Sequence, residues 1–391
     1  MRILALVTDA FGGGGGIAQY NRDLLCALAK LDRVQRITVL PRTGQASQPD
    51  PKITQTGGKR GRLAYTAKAI RTARLSTPDL VFCGHLYLLP LCWLIAQWQQ
   101  VPLWLQLHGI DAWQRPNSIV GDMLRTAALV TSVSRYTRRR FLAWAPITQG
   151  RVRVLPNTVA EEFIPGDRDL SRQELGYADN TLLLTVGRLA ASERYKGHER
   201  VLRCIPDLLG KVANLRYVVA GDGDDIHRLR QCAKDLGVEQ QVEFLGKVSF
   251  ERLKILYRAA DLFVMPSTGE GFGIVFLEAM ASGTPALGLD CGGSRDPLRD
   301  GDLGYLTSEE SLCDTLADVL TQPGKTRHGG VVSVGAPLRG ATGAALSRQV
   351  RAIFGRPSFE DQVALLLDRL AAHGTNRSDS AATSARASRS G

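Results

Sequence analysis

The chain lacks several features that mark secreted, metal-binding or membrane-spanning proteins. Its seven cysteines are scattered over 391 residues without a C-x-x-C pair, which argues against a zinc site or a disulfide framework and favours reduced thiols. The most apolar run, Leu86 to Trp98, contains Pro90 and is shorter than the roughly 20 residues of a membrane-spanning helix. We therefore expect a core helix there and a cytoplasmic protein.

Negative charge is scarce in the first half of the chain. Of the residues through Gly166, 21 are Lys or Arg and 9 are Asp or Glu, whereas beyond Gly166 the numbers are 28 and 29. No zinc knuckle or basic motif with interleaved aromatic residues accompanies this excess, which argues against nucleic acid as the partner. An anionic lipid surface or a phosphate-bearing acceptor is favoured instead.

Two groups of basic residues in the first half suggest reversible binding to an anionic membrane. The first group shares a predicted helical region with Leu63, Tyr65 and Ile70. Each basic residue near such a surface contributes about 1 kcal/mol before screening, so binding would be weak and salt-sensitive. An ordinary solvated helix face is the alternative. The groups are Lys59, Arg60, Arg62, Lys68, Arg71 and Arg74, and Arg135, Arg138, Arg139 and Arg140.

Short apolar runs alternate with helical stretches along the chain, a rhythm typical of parallel sheets covered by helices. The rhythm restarts after Pro165-Gly166, which predicts two doubly wound α/β domains at 1–165 and 166–355. The Gly-rich segment 322–342 has no clear period, and the composition from Gly374 onward predicts a disordered tail at 374–391. The predicted strands are Ile3–Val7, Ile37–Leu40, Leu80–Cys83, Leu103–Leu107, Leu129–Val133 and Val152–Leu155, then Leu182–Val186, Leu215–Ala220, Val242–Leu245, Leu262–Met265 and Pro285–Leu289.

The most informative segment runs from Pro266 to Met280. A buried strand precedes a glycine-rich turn, and a helix from Ile274 follows it, so the turn places free backbone N–H groups at a positive helix end, where anions bind. Glu270 stands before the helix and Glu278 lies inside it. The two carboxylates suit a sugar hydroxyl and a ribose hydroxyl, and a strand–turn–helix with two surface glutamates is the plain alternative.

This E-G-F-G pattern, with a second Glu eight residues after the first, resembles the retaining glycosyltransferases of the glycogen synthase and mannosyltransferase-like family (glycosyltransferase family 4, glycosyl transferases group 1). The resemblance implies the GT-B fold, in which two Rossmann-like domains face each other across a cleft and a C-terminal helix, here 356–373, crosses back to the first domain. It also implies transfer of a mannose- or glucose-type hexose from a nucleotide diphosphate sugar to a glycan or lipid-linked saccharide, in bacterial lipopolysaccharide or exopolysaccharide synthesis.

Gly187-Arg188-Leu189, followed by Lys196-Gly197, is similar to another motif of this family. Arg forks onto phosphate oxygens and Lys supplies a mobile charge, so the two would neutralise a leaving diphosphate. The family has a shorter gap, and Ser192-Glu193-Arg194-Tyr195 is an apparent insertion in this chain. Two solvated surface cations are the alternative.

The first strand is followed by five glycines, Gly12 to Gly16, which expose amides at a helix start. In similar proteins this loop approaches the diphosphate or the acceptor. Gly13-x-Gly15-x-x-Ala18 also satisfies a loose dinucleotide fingerprint, but the next strand ends in Leu40-Pro41-Arg42 without an acidic residue for a ribose. That absence argues against a dehydrogenase.

His108 follows a buried strand, at the edge where open sheets bind ligands, and resembles the family histidine that touches the donor sugar. Asn157 matches a family turn that shapes the interdomain hinge. Asp222 and Asp224 would suit a metal, but their position after a second-domain strand resembles the family's G-D-G turn near the nucleotide. Asp296 replaces the usual Glu of a G-G-x-x-E element, and no catalytic role is carried onto it.

The resemblance assigns catalysis to Glu270, His108, Arg188 and Lys196, and places Asp111 and Tyr20 on the acceptor side. We expect no metal and no cofactor, with the nucleotide sugar as co-substrate. The alternatives are an epimerase or a pyridoxal-dependent phosphorylase of the same architecture, and a non-catalytic nucleotide-sugar-binding protein. The donor-binding set is Gly15, Gly16, Gly187, Arg188, Lys196, Gly221, Asp222, Glu270, Gly271, Phe272, Gly273, Ile274, Val275 and Glu278.

Overall fold

The apolar runs of the first half form one eight-stranded sheet in the computed structural model, which describes residues 1–59, 61–116, 120–321 and 341–387. The strand order is β3-β4-β2-β1-β5-β6-β7-β8, and every pairing is parallel except that of β3 with β4. The strands are β1 (Arg2–Val7), β2 (Arg36–Pro41), β3 (Ser47–Asp50), β4 (Ile53–Gln55), β5 (Leu80–Cys83), β6 (Leu103–Leu107), β7 (Leu129–Ser132) and β8 (Val152–Val154).

The short strands β3 and β4 were not expected from the sequence. They form an edge hairpin, and β3 is exposed or half-buried throughout and contains Pro49, so it has no apolar run. The strands predicted at the centre of the sheet are all present, because each is buried on both faces by helices. The helices are α1 (Gly16–Lys30), α2 (Arg62–Ser76), α3 (Leu89–Gln99), α4 (Val120–Thr126) and α5 (Arg135–Leu142).

The second half forms a six-stranded, fully parallel sheet in the order β11-β10-β9-β12-β13-β14. Its core gathers aliphatic side chains from the strands and from the inner faces of the covering helices. The strands are β9 (Thr181–Val186), β10 (Leu215–Ala220), β11 (Val242–Gly246), β12 (Leu262–Met265), β13 (Ala286–Leu289) and β14 (Tyr305–Thr307). The helices are α6 (Arg168–Leu175), α7 (His198–Leu209), α8 (Ile226–Asp235), α9 (Phe250–Ala259), α10 (Ile274–Ala281), α11 (Leu312–Thr321) and α12 (Ala341–Phe354).

These elements confirm the predicted fold class of two Rossmann-like α/β domains. The chain divides into Met1–Asn157 with Pro357–Gly391, and Thr158–Arg356, so the division falls directly after Asn157 rather than at the expected Pro165-Gly166. The reason is that the connecting segment packs within the second unit. Thr158 Oγ1 donates to the Phe354 carbonyl at 2.8 Å, and the Phe163 ring lies 5.6 Å from that of Tyr257.

The last helix, α13 (Arg356–Ala387), belongs almost entirely to the first unit. Glu360 pairs with Lys30 of α1 at 2.6 Å, and the Phe359 ring packs edge-on against Tyr20 at 6.1 Å. The structure continues this helix to Ala387, whereas a disordered tail was expected from Gly374. Residues 388–391 lie outside the described part.

One cysteine pair corrects the expectation of reduced thiols. Cys204 of α7 and Cys313 of α11 form a disulfide, with their Cα atoms 5.0 Å apart. The sequence gives no sign of it, because 109 residues separate the two and only the packing of α7 against α11 brings them together. The scattered cysteines therefore carry no argument for a reducing compartment.

The expected core helix at Leu86–Trp98 is a 3₁₀ turn, Leu86–Leu88, followed by α3. Its inner face is buried, but Leu94 and Trp98 are each about half exposed. Across the described ranges, no helix combines the length and apolarity needed to cross a membrane. Apart from residues 341 and 342, which begin α12, the segment 322–342 lies outside the described residues.

Candidate functional site

The predicted site residues are divided between the two units, and each group is described by itself. In the second unit they lie on the loops that follow β9, β10 and β12 and on the first turns of α10, at the carboxyl edge of the sheet. Ligands of open parallel sheets bind at this edge.

The loops after β9 and β10 touch backbone to backbone. Gly221 has φ of 148°, and a Cβ atom there would lie 1.7 Å from the Gly187 carbonyl oxygen, so only glycine fits. The amide of Leu189 donates to the Asp222 carbonyl at 2.9 Å. The G-D-G turn therefore fixes the backbone that carries Arg188.

The two aspartates of this turn bond locally. Asp222 accepts from the Gly223 amide at 2.8 Å, and Asp224 accepts from the Ala191 amide at 2.7 Å. Within the described residues, no group of three or more His, Cys, Asp or Glu is arranged to hold a metal ion. The expectation that the reaction needs no metal ion stays a prediction.

Arg188 and Lys196 meet at one carboxylate, that of Glu193. Lys196 Nζ lies 2.8 Å from Glu193 Oε2, and the Arg188 guanidinium pairs with Oε1 of the same residue. Three-quarters of the Arg188 side chain is exposed, whereas Glu193 and Lys196 are largely buried. Nothing in the sequence pattern pointed to Glu193 as the group that joins the two cations.

The apparent insertion forms a 3₁₀ turn over Ala191–Lys196, here called the 191–196 turn. Arg194 pairs with Asp225 at 2.7 Å, and the Tyr195 carbonyl accepts from the Thr268 amide at 2.9 Å. The turn is thus tied both to the start of α8 and to the loop after β12.

Glu270 lies directly before the predicted helix start. Burial raises the pKa of its carboxyl group, and the charge of Lys196 and the neighbouring amides of Gly271 and Phe272 oppose that shift. Helix α10 begins at Ile274, as predicted, behind Gly273 with φ of 90° and without a side-chain cap. Because the residue before the helix is glycine, no side chain at that position caps the first amides of α10.

Glu278 lies in the second turn of α10 and is bound by a residue that sequence reasoning missed. The buried Tyr257 hydroxyl donates to Glu278 Oε2 at 2.8 Å, and burial raises the pKa of Glu278 to about 7. Tyr257 lies on α9, 21 residues earlier, in a position with no motif of its own.

Phe272 does not present its side chain to a ligand. The ring is 3% exposed and packs edge-on against Phe354 at 5.9 Å. A contribution to donor binding is therefore confined to its backbone. The apolar residue of E-G-F-G thus anchors the loop against Phe354.

His198 is a second residue that the sequence did not single out. It begins α7, is 5% exposed, and its Nε2 atom has no hydrogen-bond partner. Burial, reinforced by the charge of Lys196, lowers its pKa to about 4, so the ring is neutral at pH 7. Its signal in the sequence was its place directly after Lys196-Gly197.

In the first unit, the glycine loop after β1 is held at its base and open at its tip. Arg22 donates to the carbonyls of Ala10 and Gly13 at 2.8 Å, and Asn21 donates to the Asp9 carbonyl at 2.8 Å. A Cβ atom built at Gly14, Gly15 or Gly16 would meet nothing within 4 Å. Positions 15 and 16 of the predicted donor-binding set therefore border open space.

His108 follows β6, next to His85 after β5 and Asp111 on the same loop. His108 Nε2 lies 3.0 Å from the Gly84 carbonyl oxygen, and His85 Nε2 lies 3.9 Å from Asp111 Oδ2. Burial lowers the pKa of His85 to about 4 and that of His108 to about 3, and it raises the pKa of Asp111 to about 7. His85 was not predicted as a site residue.

Tyr20, expected on the acceptor side, is a core residue. It is 1% exposed, and its hydroxyl donates to Gln106 Oε1 at 2.9 Å and to the Leu155 carbonyl at 3.2 Å. Its ring packs edge-on against His108 at 5.2 Å. The helical period places it on the inner face of α1, so it supports His108 and is not available to an acceptor.

Comparison with known proteins matches both halves of the chain. Residues 167–329 match the family model described as glycosyl transferases group 1, and residues 14–163 match glycosyltransferase family 4. The GDP-mannose-dependent alpha-(1-6)-phosphatidylinositol monomannoside mannosyltransferase of Mycolicibacterium smegmatis is 30% identical over 217 residues, which are 52% of this chain and 56% of that protein. The D-inositol 3-phosphate glycosyltransferase of Nocardia farcinica is 29% identical over 275 residues, 64% of this chain and 60% of the other. The chain thus matches less than two thirds of the length of these curated relatives.

The fold is also found in solved structures. The crystal structure of Anabaena Alr3699/HepE in complex with UDP-glucose superimposes with a TM-score of 0.73 and 22% identity, over 94% of this chain and 99% of that one. At this identity the likeness establishes the arrangement of the elements and nothing more.

The shifted pKa values of His85, His108 and Asp111 predict that the stability of the first unit depends on pH. Between about pH 6 and 4.5 the unfolded chain holds two more protons, on His85 and His108, while the native unit holds one more, on Asp111. The net difference of one proton makes the free energy of unfolding fall by about 1.4 kcal/mol per pH unit as the pH falls.

Urea unfolding followed by tryptophan fluorescence measures this slope, because all five tryptophans lie between residues 93 and 144. His85→Asn should remove the net slope, and Asp111→Asn should make it about twice as steep. Parallel profiles for the wild type and both variants would show that these side chains are not protonated as described.

Proposed function

The chain belongs to the GT-B glycosyltransferases of family 4, and on that premise we propose that it transfers a hexose from a nucleotide diphosphate sugar to a saccharide or lipid-linked acceptor, with retention of the anomeric configuration and without a metal. The observation that carries the proposal is the meeting of Arg188 and Lys196 at the carboxyl edge of the second sheet, beside Glu270 and the start of α10. Two cations and uncapped helix amides suit a departing diphosphate.

The nucleotide end of the donor fits the environment of Glu278. Tyr257 occupies one carboxylate oxygen, which leaves the other for a ribose hydroxyl. The amides of Gly271 and Phe272 favour the charged form of the Glu270 carboxyl group, and a carboxylate suits a hydrogen bond from a sugar hydroxyl. The two carboxylates would thus hold the two ends of the donor while the charge develops between them.

In the first unit, His108 and the glycine loop are the groups that suit a ligand. The neutral imidazole of His108 can accept a hydrogen bond from a sugar hydroxyl or donate one to it. The amides near Gly15 and Gly16 border open space and suit an anionic group.

The donors to test are chosen from those named for similar proteins. One is named for GDP-mannose, and a protein of the same fold was solved with UDP-glucose. A thermal-shift screen with GDP-mannose, UDP-glucose and their epimers identifies the donor, because a ligand of the folded state raises the melting temperature. No shift with any nucleotide sugar would count against the proposal.

Arg188→Ala and Glu278→Ala should each lower kcat/KM for transfer by a hundredfold or more, on the order of the effect of losing one charged contact. The exposed Arg230 on α8 and Glu239 before β11 provide matched controls, since Arg230→Ala and Glu239→Ala remove the same groups outside the loops that follow β9, β10 and β12. Near-normal turnover of both site variants, folded by circular dichroism, would refute the assignment.

Transfer should survive a chelator, because Arg188, Lys196 and the amides of α10 supply the positive charge that a divalent ion would otherwise provide. The assay compares rates with and without EDTA, before and after addition of Mn²⁺ or Mg²⁺. Loss with EDTA and recovery with metal would instead make Asp222 and Asp224 metal ligands.

We also propose that the first unit binds anionic membranes through α2 and α3, which pack against each other. Leu63 and Leu75 of α2 are 87% and 74% exposed, and the same helix carries the exposed Arg71 and Arg74. Leu94 and Trp98 of α3 are about half exposed. Apolar side chains among arginines suit a lipid interface.

Several residues of the expected basic groups do not support this surface. Lys68 donates to the Gly57 carbonyl, Tyr65 is buried with its hydroxyl on Leu40 O at 2.9 Å, and Arg138 donates to Val152 O at 2.8 Å. Lys59 precedes α2, and Arg60 lies outside the described residues. The expected surface therefore depends on fewer charges and more apolar area than the sequence suggested.

Sedimentation with anionic and neutral liposomes should recover the protein only with anionic vesicles at low salt. Arg71→Glu/Arg74→Glu should abolish recovery, since each basic residue contributes about 1 kcal/mol. The matched control is Arg230→Glu/Lys234→Glu, which reverses two exposed charges on α8 of the second unit. Equal recovery in the supernatant under all conditions would favour a soluble acceptor.

A further inference from the structure

We propose that Glu193 is an internal anion that occupies the two cations of the diphosphate site and is displaced when a diphosphate binds. The inference rests on the proposed function only in taking a nucleoside diphosphate as the ligand of Arg188 and Lys196. Its basis is that both cations already contact one carboxylate of the chain itself, through its two different oxygens.

The contacts compete directly with those of a diphosphate. Bidentate recognition uses the planar fork of an arginine, and here part of that fork is engaged by Glu193. Lys196 has only 15% of its side chain exposed, and its ammonium is 2.8 Å from the same carboxylate. A diphosphate that takes both cations must replace the carboxylate or lie against it.

Repulsion between a bound diphosphate and nearby carboxylates favours displacement of Glu193 from the two cations. Glu193 is close enough to Glu270 to raise the pKa of that carboxyl, although less than burial does. A diphosphate placed beside Lys196 would therefore meet two carboxylates, and like charges at contact distance in a half-buried site are costly. A monophosphate, with less charge, would gain less from the same displacement, so Glu193 would favour diphosphates.

The 191–196 turn does not depend on the Glu193 carboxylate. Its backbone and neighbours are held by Asp224 on the Ala191 amide, by Asp225 on Arg194, and by Thr268 on the Tyr195 carbonyl. Glu193 itself has φ of −119° and ψ of 24°, which interrupts the helical geometry of the turn. The side chain can thus leave the cations while the turn keeps its place.

The test is calorimetric titration of wild type and Glu193→Gln with inorganic pyrophosphate, UDP and GDP. If Glu193 competes, the variant should bind these ligands roughly tenfold more tightly, since one charge–charge contact no longer has to be exchanged. The gain should be smaller for UMP and GMP. Glu193→Ala provides a second variant in case the amide of Gln holds the cations by hydrogen bonds.

Glu199→Gln is the matched control, because Glu199 is also a paired carboxylate of the second unit but contacts Arg203 and Arg228. It changes the net charge equally and should leave the affinities unchanged. When Arg188 is replaced by alanine, Glu193→Gln should increase the affinity for diphosphates much less, because only one cation is left for Glu193 and the ligand to compete for.

Equal or weaker binding of pyrophosphate and nucleoside diphosphates by both Glu193 variants would overturn the proposal and make Glu193 a group that pre-aligns the cations. Absence of binding by every form would also overturn it. Failure of the proposed function is distinguishable, since the variant would still bind pyrophosphate more tightly while no nucleotide sugar supported transfer.

Discussion

Backbone-to-backbone packing of the loops at the carboxyl edge of the second sheet is the constraint on which the candidate site depends. Strands β10, β9 and β12 are neighbours, so the loops that follow them meet. A Cβ atom at Gly221 would strike Gly187 O, and one at Gly197, with φ of 83°, would lie 2.3 Å from Pro266 O. These contacts leave no room for a side chain at either glycine, so the loop that carries Arg188 and Lys196 can approach the loops after β10 and β12 only because glycine occupies both positions.

This packing places ionisable groups where they are costly for the fold. Glu278 has a pKa raised to about 7, Glu270 is raised by burial, and His198 has an unpartnered Nε2 atom. Buried polar groups are normally satisfied, and groups that are not are the ones expected at binding sites. The Tyr257 hydroxyl lowers this cost for Glu278 without consuming both of its oxygens.

The sequence predicts the site best where one element carries the whole signal. The start of α10 and the strands flanking it follow from a local apolar run, a glycine turn and the 3.6-residue period, and the family and fold class are confirmed. Contacts between distant elements had no such signal. The Cys204–Cys313 disulfide joins two helices 109 residues apart, and the partners of the buried Tyr20 hydroxyl are Gln106 of β6 and Leu155, directly after β8.

The side chains of residues inside a motif are not fixed by the motif, for a related reason. Phe272 lies between two glycines of the anion-binding turn, yet its ring fills a space against Phe354 of α12. A motif fixes the backbone of a segment, whereas the contacts of each side chain depend on residues of other elements that pack against it. Tyr257 and Glu193 show the converse, since they contact predicted site residues from positions that no motif marks.

The two units carry charge differently: the first has an excess of positive charge, and the second has nearly equal numbers of each sign. The excess of Lys and Arg lies before Gly166, whereas the residues after it carry nearly equal numbers of each sign. A long-range field that raises the local concentration of anionic ligands therefore originates in the first unit. In the second unit, Arg188 and Lys196 are balanced locally by Glu193 and Glu270, so their charge acts only at short range. A site built in this way responds to the number and spacing of a ligand's charges more than to negative charge as such.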